Sequence, residues 1–182
     1  FSTDYGKMGI GVLRYLPNTI VAVIDSKNNG KNTNEFNSIE RSVPIVDNLD
    51  AAILNGAEVL ILGIAPSGGK IPEAWFKVIE SAISKNLSII NGLHDTLLSK
   101  YKNSLQNDQW IWDVRIPKFI PQIASGKAAK LNNKRILCVG TDMAVGKMTT
   151  SLEMHKWAIE KKINSSFIAT GQIGITITGD GI

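Results

Sequence analysis

Residues 135–161, RILCVGTDMAVGKMTTSLEMHKWAIEK, decide how this chain is read. Ile136, Leu137, Cys138 and Val139 form a short apolar run, which predicts a buried strand. Residues 140–146 carry a glycine at each end and predict a turn; from Lys147 onward the spacing predicts a helix. A strand, a glycine-bounded loop and a helix that opens on lysine is the layout of a phosphate-binding loop. Successive backbone N–H groups line such a loop, the helix N-terminus adds partial positive charge, and Lys147 adds a full one. The expected phosphate-holding residues are Gly140, Thr141, Asp142, Ala144, Val145, Gly146, Lys147, Met148 and Thr149. The alternative is an ordinary βα turn that contains Gly and Lys.

The strict pattern G-x-x-x-x-G-K-[ST] is met imperfectly. Thr141 stands where its first glycine belongs, and Gly140 lies one residue earlier. Where the pattern has a hydroxyl that ligates Mg²⁺ beside a triphosphate, this chain has Met148, with Thr149 following. One residue along a helix is a rotation of about 100°, so Thr149 does not simply take that place. A loop that keeps the cradle and lacks the metal ligand suits holding phosphates better than splitting them. No residue is assigned to a metal.

The totals describe an ordinary globular chain: 182 residues, 43% apolar and 20% charged. The net charge of +4 is spread over singly placed lysines, with no basic run interleaved with aromatics, so neither nucleic acid nor membrane is an expected partner. The single cysteine, Cys138, excludes an internal disulfide and fits a reducing, cytoplasmic setting; within an apolar run it reads as core. No signal peptide and no run of transmembrane length is visible. The expected partner is a small phosphate-bearing cofactor, with assembly as a homo-oligomer.

From the start, residues 1–16 predict a helix ended by Pro17; Gly6, Gly9 and Gly11 weaken it unless they permit close packing or a ligand's approach. Residues 20–24 predict a strand that ends in Asp25, either a ribose-binding acid or a plain turn carboxylate. Residues 26–42 are Asn-rich and predict a long, mobile loop. Asp47 or Asn48 caps a short helix ended by Gly56, and residues 59–64 read as a parallel-sheet strand. Residues 65–70 form either an anion-binding nest or a simple βα loop. A helix over residues 72–85 buries Trp75, Val78, Ile79, Ala82 and Ile83.

Strands at 87–90 and 110–114 flank a short helix that ends near Tyr101. This alternation predicts an α/β fold: a Rossmann-like, three-layer N-terminal domain with a mostly parallel sheet over residues 1–116. Ligands of such sheets bind beyond the strand C-termini. Asp25, residues 67–70, His94, Asp95 and Arg115 all map to that edge. Residues 117–133 read as a linker, with a packed segment around Phe119 and Ile120. Residues 134–182 read as the first, incomplete βαβ part of a P-loop domain. Its helix places Leu152, His155 and Ile159 along one face, its second strand lies at 166–170, and residues 171–181 form a flexible, glycine-rich run. One such unit cannot cover a sheet on both faces, which predicts that the chain is a piece of a longer protein.

GTDMAVGKMTTSLE (140–153) with ATGQIGITITGDGI (169–182) resembles the phosphate-loop domain of the D-glutamate N-acetyltransferase-like family, long carried as a domain of unknown function. RYLPNTIVAVIDS (14–26), LILGIAPSGG (60–69), IINGLHDTL (89–97) and IWDVRIP (111–117) resemble that family's Rossmann-like domain. The resemblance implies D-amino acid metabolism, with acetyl transfer from acetyl-CoA to the amine of D-glutamate. The residues are compatible with this, because no phosphate of coenzyme A is cleaved. His94, with Asp95 beside it, is then the candidate catalytic base, and the bland alternative is a capping or packed histidine. Lys70 and Arg115 are candidate substrate-binding cations, or plain solvated ones. The GTD…VGK core also resembles dethiobiotin synthetase, so an ATP- and Mg-dependent ligase or kinase is the second hypothesis. A non-catalytic nucleotide- or CoA-binding module is the third.

Overall fold

The computed structural model describes residues 6–36, 39–117, 119–120, 122–142 and 145–182. The first helix, α1 (Lys7–Tyr15), buries Met8, Val12 and Leu13, the positions one face of a 3.6-residue period predicts. At its end the Arg41 guanidinium donates to the carbonyls of Leu16 (2.7 Å) and Asn18 (3.1 Å), so the helix stops on a charged cap just before Pro17.

Strands β1 (Val23–Ile24) and β2 (Ile45–Val46) pair in parallel, Val23 beside Ile45. The Asn-rich stretch between them, expected as a mobile loop, is folded over its described residues. It makes two 3₁₀ turns, one capped by Asp25 and one by a reciprocal Asn32–Glu35 box. Thr33 is fully buried; its hydroxyl donates to the Arg41 carbonyl and accepts from the Val43 N–H at 3.0 Å. Composition suggested a polar loop because short polar side chains that compete for backbone groups in solution also make good local caps. Leu13, Ile39 and Val43 form a small core beneath this layer.

Asn48 caps α2 (Leu49–Leu54) by accepting the Ala51 N–H at 2.9 Å. Strands β3 (Val59–Ile61), β4 (Ser88–Asn91) and β5 (Ile111–Asp113) then form a parallel sheet in chain order. Helix α3 (Glu73–Ser84) follows Pro72 and buries Ile79, Ala82 and Ile83; Val78, expected on that face, lies 42% exposed at its margin. These residues, Ile89 of the central strand, and Leu97 and Tyr101 of α4 (Leu97–Tyr101) make the main core. The fold is α/β with mostly parallel pairing, as expected, its strands divided between a two-stranded and a three-stranded sheet among the described residues and accompanied by one antiparallel bridge, Asn32 to Pro44.

The second half departs from expectation. Residues 136–139 form no sheet pairing among the described residues, and Ile136, Leu137 and Val139 are 74%, 81% and 79% exposed. A two-faced apolar strand needs neighbours on both sides, and the described residues supply none. Cys138 is half-buried rather than core. Of residues 166–170, only Ala169 pairs among the described residues, in a single parallel bridge with Gly181. Helix α5 (Lys147–Glu160) buries Leu152, but Ile159 is 53% exposed. Phe119 and Ile120, expected to pack, are also exposed. The glycine-rich tail is a helix, α6 (Gln172–Thr178), which packs on α1 and stops at Gly179 in the left-handed region (φ 75°).

One buried polar network fixes the strand ends. Asn91 and Asp113 stand side by side, with the Asn91 Nδ2 donating to Asp113 Oδ1 (2.8 Å) and to the Asp95 carbonyl (2.6 Å). Asp113 also accepts the Leu97 N–H (3.0 Å) and the Leu98 N–H (2.9 Å), so α4 is capped from the next strand rather than by adjacent Thr96. Asp113→Ala would strand these donors in the core and should lower unfolding free energy by roughly 1–3 kcal/mol. Urea titration checks this; Asp113→Asn, which keeps an acceptor, should recover part of the loss, and an unchanged midpoint for Asp113→Ala would contradict it.

Candidate functional site

The phosphate-loop residues meet α1 and α6 through glycines. The Gly9 N–H donates to the Gly63 carbonyl at 2.7 Å, directly beyond β3. A Cβ on Gly9 would stand 3.2 Å from that oxygen, and one on Gly11 would stand 2.8 Å from Ile173 Cγ2 of α6. The glycines that weaken α1 as an isolated helix are therefore its packing surface. Met8 lies against Gly92, where a Cβ would come within 2.8 Å of its sulfur.

Gly146 precedes α5 with φ 93°, a conformation L-residues avoid, and it turns the chain from loop to helix. It supplies no side-chain cap, so the opening N–H groups of α5 are left to the loop's interior. Lys147 is half-buried, and its ammonium folds back to donate to the Asp142 carbonyl. Gly140 makes room for it: a Cβ there would fall 2.7 Å from Val145 Cγ2 and 3.2 Å from Lys147 Cγ. Thr141 is exposed and Thr149 half-buried, while Ala144 lies outside the described residues. Met148 reaches the α1–α6 contact, its Cε 3.7 Å from the position of a Gly11 Cβ. The position that carries a metal-binding hydroxyl in the strict motif is here apolar because it packs where α1 meets α6.

A second link joins α1 to α5. The Tyr15 hydroxyl donates to Glu153 Oε1 at 2.7 Å. Burial, reinforced by this bond, pushes the Tyr15 hydroxyl up to about 12 from its usual 10.0. His155 bonds Ser165 through Nδ1 at 2.9 Å, a structural role.

The β4 exit gathers several of the expected residues. The His94 N–H donates to the Gly69 carbonyl (2.8 Å), and its exposed ring covers the bare Cα of Gly69. Asp95 makes no hydrogen bond to it among the described residues: Asp95 Oδ2 accepts the Ile71 N–H at 2.7 Å and fastens the 65–71 loop. A carboxylate near a turn is drawn to backbone N–H groups that sequence adjacency does not reveal. Lys70 is exposed and makes no ion pair among the described residues. Arg115 donates from Nε to the Gly92 carbonyl at 2.8 Å. Asp25 accepts from the Lys27 N–H and from Asn28 Nδ2.

Arg115 also lines a cleft of about 160 Å³ between the β5 exit and α6, with Trp112, Thr170, Gln172, Ile175 and Asp180 among its other walls. Sequence reading missed the α6 side because glycine density suggested flexibility. Ile173 and Ile177, one helical turn apart with Gly179 as a stop, were the available signal.

These features define a two-part α/β protein, with a Rossmann-like unit followed by a glycine loop and its helix. Residues 26–117 match the Rossmann-like domain of unknown function DUF1611_N, and residues 122–182 match the DUF1611_C P-loop domain. The chain belongs to the DUF1611 family. It is 41% identical over 130 residues to a protein of Pseudoalteromonas named D-glutamate N-acetyltransferase, covering 70% of this chain and 39% of that one. A Tritonibacter scottomollicae protein of the same name is 40% identical over 137 residues, covering 74% and 40%. The crystal structure of a DUF1611 family protein from Anabaena variabilis is 43% identical with a TM-score of 0.94, covering 100% of this chain and 53% of that one. The chain thus spans about half, or less, of the length of these relatives. No helix among the described residues is long and apolar enough to cross a membrane.

The Tyr15–Glu153 link has a pH signature. A hydroxyl that titrates higher when folded adds stability that is whole below pH 10.0 and lost as pH rises toward about 12. Denaturant midpoints of the native protein should therefore fall more steeply over that window than those of Tyr15→Phe; parallel curves would contradict the link.

Proposed function

We propose that this chain is the phosphate-holding and acceptor-binding part of an N-acetyltransferase that moves an acetyl group from acetyl-CoA to the amine of an acidic amino acid, D-glutamate. The observation that carries the reading is Met148, apolar and packed at the α1–α6 contact, at the head of a helix that opens on Gly146 and Lys147. Such a site favours a phosphate-bearing partner whose P–O–P linkage survives the reaction. The names of the relatives support the same reading.

When bound, acetyl-CoA supplies the activated acetyl group as a thioester. The loop fits its phosphates. A phosphate gives Lys147 a charged acceptor in place of the neutral Asp142 carbonyl, and charge-assisted bonds are roughly twice as strong as neutral ones. Gly140, Thr141, Asp142, Val145, Gly146 and Thr149 contribute backbone around it. In the transfer a C–N bond forms and the thioester C–S bond breaks; the substrate ammonium gives up two protons, one to the base and one to the departing thiol, and the amide nitrogen keeps the third. His94, exposed on the β4 exit two residues beyond the carbonyl that holds Arg115, is the proposed base; Arg115, with Lys70 as the second candidate, holds a substrate carboxylate.

Thermal-shift measurements test the reading. CoA and acetyl-CoA should raise Tm equally with and without a chelator. Lys147→Ala should weaken CoA binding about tenfold or more, the loss of a charged hydrogen bond. Stabilisation by ATP with Mg²⁺ and none by CoA would overturn it in favour of a ligase.

His94→Ala should lower kcat by about 10²–10⁴ while leaving the CoA-induced shift intact. Steady-state kinetics decide, and unchanged turnover would remove His94 from the role.

A further inference from the structure

The cleft between the β5 exit and α6 holds two opposite charges that do not pair with each other. Arg115 is fixed at Nε by the Gly92 carbonyl, and its two Nη nitrogens make no hydrogen bond among the described residues. Across the cleft, Asp180 Oδ1 accepts the Gly181 N–H at 2.9 Å, and Oδ2 makes no hydrogen bond among the described residues. Neither charge is on a loose tail. Thr178 Oγ1 donates to the Asp180 carbonyl at 2.7 Å, and the Ile182 N–H ties the residues that follow to the Ala169 carbonyl at 2.8 Å. Gln172 packs over Gly92, where a Cβ would stand 3.3 Å from its Cγ, so the residue that anchors Arg115 also anchors the opposite wall.

We infer that this cleft is a binding site for a zwitterionic amino acid, with Arg115 taking a carboxylate and Asp180 the ammonium. The chemistry follows from the pair. A guanidinium held at Nε presents its remaining N–H groups as a fork that matches a carboxylate. A carboxylate with an open oxygen is the complement of an ammonium. Both side chains are exposed, so the open N–H groups of the one and the open oxygen of the other are reachable from solvent. Thr170 and Gln172 add neutral hydrogen-bonding groups suited to a second, side-chain carboxylate, and Trp112 and Ile175 offer apolar cover for its methylenes.

Size points the same way. At about 160 Å³ the cleft lies below the roughly 300–1,000 Å³ typical of sites for drug-sized ligands. It takes an amino acid and leaves the phosphate-bearing partner to the glycine loop. The choice of D-glutamate within this class rests on the acyltransferase reading; the class itself rests on Arg115 and Asp180.

The test uses this chain and measures binding of D-glutamate and of glutarate, which lacks the amine, alongside the CoA-induced Tm shift. Asp180→Asn should weaken D-glutamate by about tenfold or more while leaving glutarate affinity unchanged, because only one of the two presents an ammonium. Arg115→Gln should weaken both. Both variants should keep the CoA response, which shows that they remain folded. Unchanged D-glutamate affinity in both variants, equal loss of both ligands in Asp180→Asn, or no amino-acid binding by the native chain would overturn the assignment. Absence of a CoA response in the native chain would instead sink the acyltransferase reading, and the Asp180-specific loss of D-glutamate would still support the cleft.

Discussion

The hydrogen bond from the Gly9 N–H to the Gly63 carbonyl brings a helix backbone into direct contact with a strand exit, and the rest of the molecule is arranged about that contact. Side chains between α1 and β3 would hold the two apart; two glycines let them touch. From there α1 touches several other parts of the structure. Met8 closes over the β4 exit at Gly92, Leu13 joins the small core with Ile39 and Val43, and Tyr15 binds Glu153 on α5. Gly11 admits Ile173 of α6 and the end of Met148. With two interior glycines, α1 has low intrinsic propensity and depends on this tertiary packing.

This arrangement explains the odd phosphate loop. A hydroxyl at position 148 would face an apolar seam, whereas methionine fills its irregular space. The loop keeps its bent glycine at 146, its bare Cα at 140 and its lysine, which already lies within the loop on the Asp142 carbonyl. What remains is a cradle with positive charge and backbone donors. Beside it, α6 separates the Met148 contact from the Arg115–Asp180 cleft, so one short helix contributes to both.

Much of the fold was legible from local pattern. Apolar runs punctuated by Pro66, Gly68 and Asn86 located the strands and helices from 59 to 113, because there burial and periodicity agree. The phosphate loop was equally plain from two glycines and a lysine. What escaped detection was non-local. Asp113 caps a helix 16 residues away in sequence, and Asp95 serves Ile71 rather than its neighbour His94. The apolar run 136–139 looks buried by composition, yet burial is a property of neighbours, and the described residues place none beside it. The cleft joins segments 112–117 and 170–182, so its charge pair has no signature in either segment alone.

A crystal structure of this chain with coenzyme A puts the account to its most direct test. The expected result is the pyrophosphate against residues 140–149, Lys147 moved from the Asp142 carbonyl to a phosphate oxygen, and Met148 still packed against Gly11. Coenzyme A seated elsewhere, with Lys147 unmoved on that carbonyl, would contradict it.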